Sequence, residues 1–348
     1  MNRGHGAPVR CRWAAGFLLS WVAAQPAAAQ EPAAGLPAAL ARGPGLSWRD
    51  EASLGFPRNA HALASSDKAL FVVGGTGSLP ADPGQAAAVG PILEVERFDG
   101  SRWSVETELP GEGLNAPAAV FFEGRLWVLG GFGTTTNVPT AEVRVYDPGT
   151  GRWDSGPPLP APRGGHAAVV FENRIHVLGG GNSVSTLADH CAFDARTRKW
   201  SARAPLSRPK GSPAAVVFAG RLWALGGRSG PEDFGDVECF DETAGVWTPG
   251  PAIPARGTCG AAVWGGTIWV LGGESQAESR TLDSVLCLDP SAKLWTEATP
   301  LPTARNYARA AVLGERLLVV GGSRSAGESH AGAGSTRVES ARPLPAAK

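Results

Sequence analysis

Short apolar and polar blocks alternate along most of this chain, and the blocks recur. A largely apolar run ending in Gly-Gly occurs six times: LFVVGG to Gly75, LWVLGG to Gly131, IHVLGG to Gly180, LWALGG to Gly227, IWVLGG to Gly273 and LLVVGG to Gly322. A tryptophan precedes each run, namely Trp48, Trp103, Trp153, Trp200, Trp247 and Trp295, by 26, 27, 26, 26, 25 and 26 residues. From the first glycine to the next tryptophan the spacing varies, at 29, 23, 21, 21 and 23 residues. One connection in each repeat is therefore variable and the rest is nearly fixed, which is the signature of a repeat architecture. A third marker lies shortly before five of the tryptophans: Phe98-Asp99, Tyr146-Asp147, Phe193-Asp194, Phe240-Asp241 and Leu288-Asp289.

Each repeat reads as four short strands. In the third copy, His166 to Phe171 forms the first strand, and a tight turn at Glu172-Asn173 leads into Ile175 to Leu178. A variable loop follows the glycines, a third strand ends at Asp194, and a fourth carries Trp200. Strands of five or six residues bounded by Gly, Asn, Asp and Pro fit chained hairpins. Paired glycines suit a place where the chain turns or where backbones pack closely.

These markers resemble the kelch repeat, in which an apolar-Gly-Gly strand, an aromatic-Asp and a Trp recur at about 50 residues. Here the Trp-to-Trp steps are 55, 50, 47, 47 and 48, and the resemblance covers nearly all of the chain after its N-terminal segment. It implies an all-β fold: a six-bladed β-propeller with one four-stranded blade per repeat around a channel. No strands precede Trp48, and no tryptophan follows Gly322, but Arg337-Val338-Glu339 matches the third-strand pattern Val95-Glu96-Arg97. The strand at Trp48 is therefore expected to complete the last blade and close the ring. The boundaries expected are a signal peptide over 1–29, a flexible lead-in over 30–46, the propeller over 47–340 and a tail over 341–348.

Charge and the N-terminus change the picture next. The formal charge is zero, but residues 1–29 hold Arg3, Arg10 and Arg12 and no acid, leaving 29 basic against 32 acidic residues beyond them. A phosphate-binding surface needs a basic excess, so nucleic acid is excluded as a partner. The basic start, the apolar run Trp13 to Ala24 and the small residues Ala27 to Ala29 form a secretory signal peptide cleaved after Ala29. The chain is thus expected to be secreted or periplasmic, with no membrane span after cleavage, and to act as a monomer. Four cysteines remain, Cys191, Cys239, Cys259 and Cys287. Their strand positions keep them beyond disulfide reach of one another, so four free and mostly buried thiols are expected.

The chemistry is sparse. The sequence lacks G-x-S-x-G, a Walker-type glycine loop and H-E-x-x-H. Gly111 to Ala116 mimics a dinucleotide fingerprint but has no helix after it. His61 and His166 open inner strands, and only Cys259 matches their position elsewhere, so they read as packed strand histidines and no metal or cofactor is expected. A kelch-like copper oxidase is equally unsupported, since the chain has only Tyr146 and Tyr307.

One constellation remains. Arg58, Asn115, Arg163, Lys210, Arg256 and Arg305 stand at the start of the six inner strands. In a propeller such positions form a ring, and cations converging on one channel mouth would be relieved by an anion. In kelch adaptor domains, arginines at this position recognise acidic peptides, which the resemblance carries to Arg163 and Arg305 most directly. The same arginines can instead bond to neighbouring loops. The loops after the glycines add Arg228, Glu232, Asp233, Glu274, Glu278, Arg280, Arg324 and Glu328. The expected function is a binding module for an unidentified protein or glycan, preferably an acidic peptide or sugar acid. The enzyme alternative, from periplasmic kelch proteins that are sialic-acid mutarotases, would use a Glu-Arg pair in these loops.

Overall fold

The computed structural model describes residues 40–79, 87–289, 293–327 and 332–344. The segment expected to be a signal peptide, Cys11, most of the expected lead-in, Glu328 and the last four residues lie outside them.

Every described element is a β-strand or a short bridge. Blade 1 consists of Ala62–Ser65, Leu70–Val73, Glu94–Phe98 and Trp103–Glu108, from the centre outward. Blade 2 is Ala118–Phe122, Arg125–Leu129, Val143–Asp147 and Arg152–Ser155. Blade 3 is Ala167–Phe171, Arg174–Leu178, His190–Asp194 and Lys199–Arg203, within a residue or two of the expected strands. Blade 4 is Ala214–Phe218, Arg221–Leu225, Val237–Asp241 and Val246–Pro249. Blade 5 is Gly260–Trp264, Thr267–Leu271, Val285–Asp289 and Leu294–Ala298. Blade 6 is Arg309–Leu313, Arg316–Val320, Val338–Pro343 and, as its outermost strand, Leu46–Asp50. The ring closes as expected, with Trp48 opposite Ala341. The six inner strands are neighbours in cyclic order, blade 6 meeting blade 1.

The repeat markers have physical jobs. Each outer tryptophan sends its indole N–H into the preceding blade. Trp200 donates to Pro157 O at 3.0 Å, Trp247 to Ala204 O at 2.8 Å and Trp295 to Pro251 O at 2.7 Å. Trp48 does the same to Thr299 O and Trp103 to Ala52 O, so the tie crosses the closure. In blades 1 to 4 the aromatic before the Asp lies against its tryptophan, as Phe240 does on Trp247 at 5.2 Å between ring centroids. The Asp then caps the turn: Asp99 Oδ1 accepts from the backbone N–H groups of Ser101 and Arg102. Both glycines of every pair have positive φ. A Cβ on Gly179 would stand 2.3 Å from Lys210 O in the next blade, so only glycine fits.

Two ends differ from the expected boundaries. Ala41–Arg42, assigned to a flexible lead-in, pairs in parallel with Leu294–Ala298 as a fifth strand of blade 5. The last strand runs to Pro343, into the segment read as a tail. The four cysteines are free and buried, as expected.

Candidate functional site

The expected cationic ring exists as a set of positions but not as an open site. Arg58, Arg163, Lys210, Arg256 and Arg305 are all at most 2% exposed. Their side chains turn into their own blades. Arg58 Nη1 donates to Gly74 O at 2.9 Å, Arg163 Nη1 to Gly179 O at 3.1 Å, Arg256 Nη1 to Gly272 O at 3.3 Å and Arg305 Nη1 to Gly321 O at 3.0 Å. Arg58 also pairs with Glu96 at 3.0 Å, Lys210 with Glu238 at 2.7 Å, and Arg305 with Glu339. Arg163 reaches Asp189 at 3.2 Å, and Arg256 reaches Ser284 Oγ at 3.1 Å. The backbone carbonyl of the same residue accepts the second glycine N–H of the preceding blade, as Gly180 N donates to Lys210 O and Gly322 N to Arg58 O. Each arginine is thus a clamp that holds its own glycine turn and the turn next door, while Lys210 holds the turn next door through its carbonyl and sends its ammonium to Glu238. Burial pulls the Arg58, Arg256 and Arg305 guanidinium pKa values down, against the nearby acids in the first and last cases.

Asn115 does not belong to this set. The bond from the preceding glycine, Gly75 N, goes to Leu114 O, so Leu114 holds the clamp position in blade 2. Asn115 is one residue later, where it pairs with Phe132 as Asn59 does with Thr76 and Asn306 with Ser323. The extra residue behind the 27-residue step is taken up in the outer strand of blade 1, where Val95 opposes Thr107 and Glu96 opposes Val105, leaving Glu106 as a bulge. Where the cation is missing, so is its carboxylate: the third strand of blade 2 carries Arg144 at the place of Glu96, Glu238 and Glu339. A buried carboxylate without a cation is costly, and none occurs at this place; the converse is found in blades 3 and 5, where Arg163 and Arg256 stand over Cys191 and Leu286.

The histidines are packed side chains. The His166 imidazole abuts Gly130 of blade 2 and that of His61 abuts Gly321 of blade 6. Burial, helped by Arg163, holds His166 near 3, and burial with Arg309 and Arg58 keeps His61 well below the usual range. Among the described residues no group of His, Cys, Asp or Glu has the arrangement of a metal site.

Above the clamps, the loops of blades 4 to 6 meet in a polar network. Arg228, just after the blade 4 glycines, donates to Glu274 Oε1 and to the Tyr307 hydroxyl. Glu274 is fully buried and also accepts from Asn306 Nδ2 at 2.7 Å and Gly327 N at 2.9 Å. Asp233 accepts from Gln276 N at 2.6 Å, while its Oδ1 is buried without a partner among the described residues. Burial raises the Asp233 pKa, and Glu274 adds to the rise. Burial lifts Tyr307 to about 12, against the pull of Arg228. Tyr307 packs on Ala60, Ala116 and Phe132. Ala60, Ala116, Gly165, Ser212, Thr258 and Tyr307 occupy one place in the six repeats, and their backbones form a belt: Ala116 N donates to Ala60 O, Gly165 N to Ala116 O, Ser212 N to Gly165 O and Tyr307 N to Thr258 O. The network therefore rests on this belt, through Tyr307, at the loop end of the inner strands.

Of the loop charges read from sequence, the structure joins Arg228, Asp233 and Glu274 here. Arg280 and Glu278 pair with each other in the open, and Glu232 stays exposed. Arg324 is exposed on the blade 6 loop, held beside blade 5 by Thr281 Oγ1 donating to its carbonyl. Asn306 and Tyr307 were not singled out from sequence as site residues. Tyr307 carries a signal, a departure from the repeat, since it replaces the small residue found in the other five blades, whereas Asn306 shares its place with Asn59 and Asn115.

Six blades built on four strands each, a closed ring and a loop face with a buried polar floor define a β-propeller scaffold. The described KLHDC2/KLHL20/DRC7 Kelch-repeats domain matches residues 118–322, and the chain belongs to the kelch-repeat family. It is 30% identical over 139 residues to the Arabidopsis thaliana Kelch repeat-containing protein At3g27220, covering 39% of this chain and 31% of that one. It is 30% identical over 130 residues to the Aspergillus terreus Kelch-like protein terF, covering 36% of this chain and 28% of that one. The chain thus spans about a third of these relatives or less. The solved structure titled "Structure of YjhT" superposes with a TM-score of 0.70 at 16% identity, covering 83% of this chain and 95% of that one.

Proposed function

We propose that this kelch propeller works outside the cytoplasm as a binding module, taking an anionic ligand on the loop face over blades 4 to 6. Kelch propellers are typical protein-interaction modules, and the ligand here is an acidic peptide or a sugar acid. The observation that carries the reading is the fixed floor Arg228–Glu274–Asn306–Tyr307, bordered by the exposed Arg280 and Arg324. Buried cations cannot reach a ligand, so the anion preference moves from the clamps to these two side chains. The Arg280–Glu278 pair is exposed and cheap to exchange for a ligand carboxylate. The basic start, apolar run and small residues of the N-terminal segment, read as a signal peptide, support export.

The test is a glycan and peptide array probed with the mature protein at two salt concentrations. Acidic ligands should be retained and should weaken at high salt. Replacing Arg280 and Arg324 by Ala should lower that binding about tenfold or more without shifting the melting temperature, at ~1.5–3 kcal/mol per charge-assisted bond. Retention of neutral ligands only, or unchanged binding by the variant, would overturn the reading.

The raised Asp233 pKa beside Glu274 and Arg228 favours a second reading, acid/base chemistry on a bound sugar. On that reading Asp233→Asn would abolish turnover and leave binding intact.

A further inference from the structure

Below the belt, the inner strands line a channel cavity of about 110 Å³. The first inner-strand residue is Ala62, Ala118, Ala167, Ala214 and Gly260 in blades 1 to 5, and Arg309 in blade 6. Five small residues leave the volume into which one long side chain projects. Arg309 lines that cavity and makes one described hydrogen bond, from Nε to His61 O at 2.9 Å. No carboxylate among the described residues pairs with it, and its two terminal NH₂ groups have no described protein acceptor. This sets it apart from the clamps, each of which has an acid, a hydroxyl or several carbonyls.

Among the described residues, the groups that act on Arg309 carry no negative charge. Tyr307 is held near 12 and burial raises the Cys259 thiol, so both are neutral at pH 7. His166 lines the same cavity from blade 3, across the ring from blade 6. It is 4% exposed and both its ring nitrogens lack a partner among the described residues. Arg309 is half-buried, so its unfilled donors face whatever occupies the channel, and a small anion there supplies the counter-charge. A neutral imidazole with a free N–H can join it. The volume suits several waters or one small ion, not a sugar or a peptide.

We propose that the channel holds one small inorganic anion of the halide class, bound to the Arg309 guanidinium and facing His166. The anion neutralises a channel cation that no described carboxylate pairs with. The site is separate from the loop face, because the belt and Tyr307 stand between them.

Bromide is the probe. Crystals grown in sodium bromide should show an anomalous peak in the channel within contact distance of Arg309. Thermal unfolding in a bromide titration should rise saturably, by about 2 °C or more, for the unsubstituted protein. Arg309→Ala installs the residue that blades 1 to 4 already carry, so it should fold, lose the peak and show only the unsaturating response common to all salts. Arg309→Lys should keep the peak. Water alone at Arg309, or the same bromide response with and without the arginine, would overturn the proposal.

Discussion

At the scale of single residues, burial decides chemistry that type alone left open. Four histidines are held neutral, mainly by loss of solvation: His61 well below the usual range, His166 near 3, His176 near 4 and His190 near 3. His176 and His190 also meet ring to ring in blade 3, with Nδ1 and Nε2 2.9 Å apart. The sign follows from proton binding. Below about pH 6.5 the unfolded chain protonates these imidazoles and the folded chain does not, so the unfolded state gains. Their contribution is fully present above 6.5 and is lost as pH falls toward 4 and 3. Each then removes up to ~1.4 kcal/mol per pH unit. Denaturant melts at pH 7 and pH 5 should show lower stability at pH 5. Replacing His176 and His190 together by Phe and Leu should flatten that slope, and an unchanged slope would mean that they do not titrate on unfolding.

Strands and turns show how far the sequence could be read. The Gly-Gly, aromatic-Asp and Trp markers located the strands of blade 3 within a residue or two, because each marker has a local cause: positive φ, a capped turn, an indole tie. Closure by Leu46–Asp50 was legible because one blade lacked an outer strand at the C-terminal side and one strand stood alone at the other end. The clamps were not legible as clamps. Repeat position tells which residues are equivalent, but it does not tell whether a side chain points to the channel or back under its own glycine turn. The slip to Asn115 has an equally local cause, a bulge at Glu106 that shifts the count. The outer strand also yields a test. Removing residues through Asp50 exposes the third strand of blade 6 and strips Trp48 from its contact with Thr299 O. Stability should fall by ~3–5 kcal/mol or more, the scale of losing a buried aromatic, in a chemical-denaturation curve. A truncated chain with the full chain's midpoint would contradict closure by this strand.

Across the whole molecule, the ring is stitched at three radii. Indole ties join the outer strands, glycine N–H groups reach the next blade's clamp carbonyl, and the belt joins the loop ends of the inner strands. The clamps at the middle radius hold the glycine turns from which the loops of blades 4 to 6 rise, so their role is to shape the ligand face from beneath. The most direct measurement is thermal unfolding and array binding of Arg58→Leu beside the double variant Arg58→Leu/Glu96→Leu. A clamp makes the single change expensive, about 3–5 kcal/mol, because Glu96 is left buried and uncompensated. The double change should recover most of that loss, since blade 2 already does without either charge, and ligand binding per folded molecule should stay intact in both. A single variant that melts like the unsubstituted protein yet loses its salt-sensitive binding would contradict the clamp and return Arg58 to the ligand.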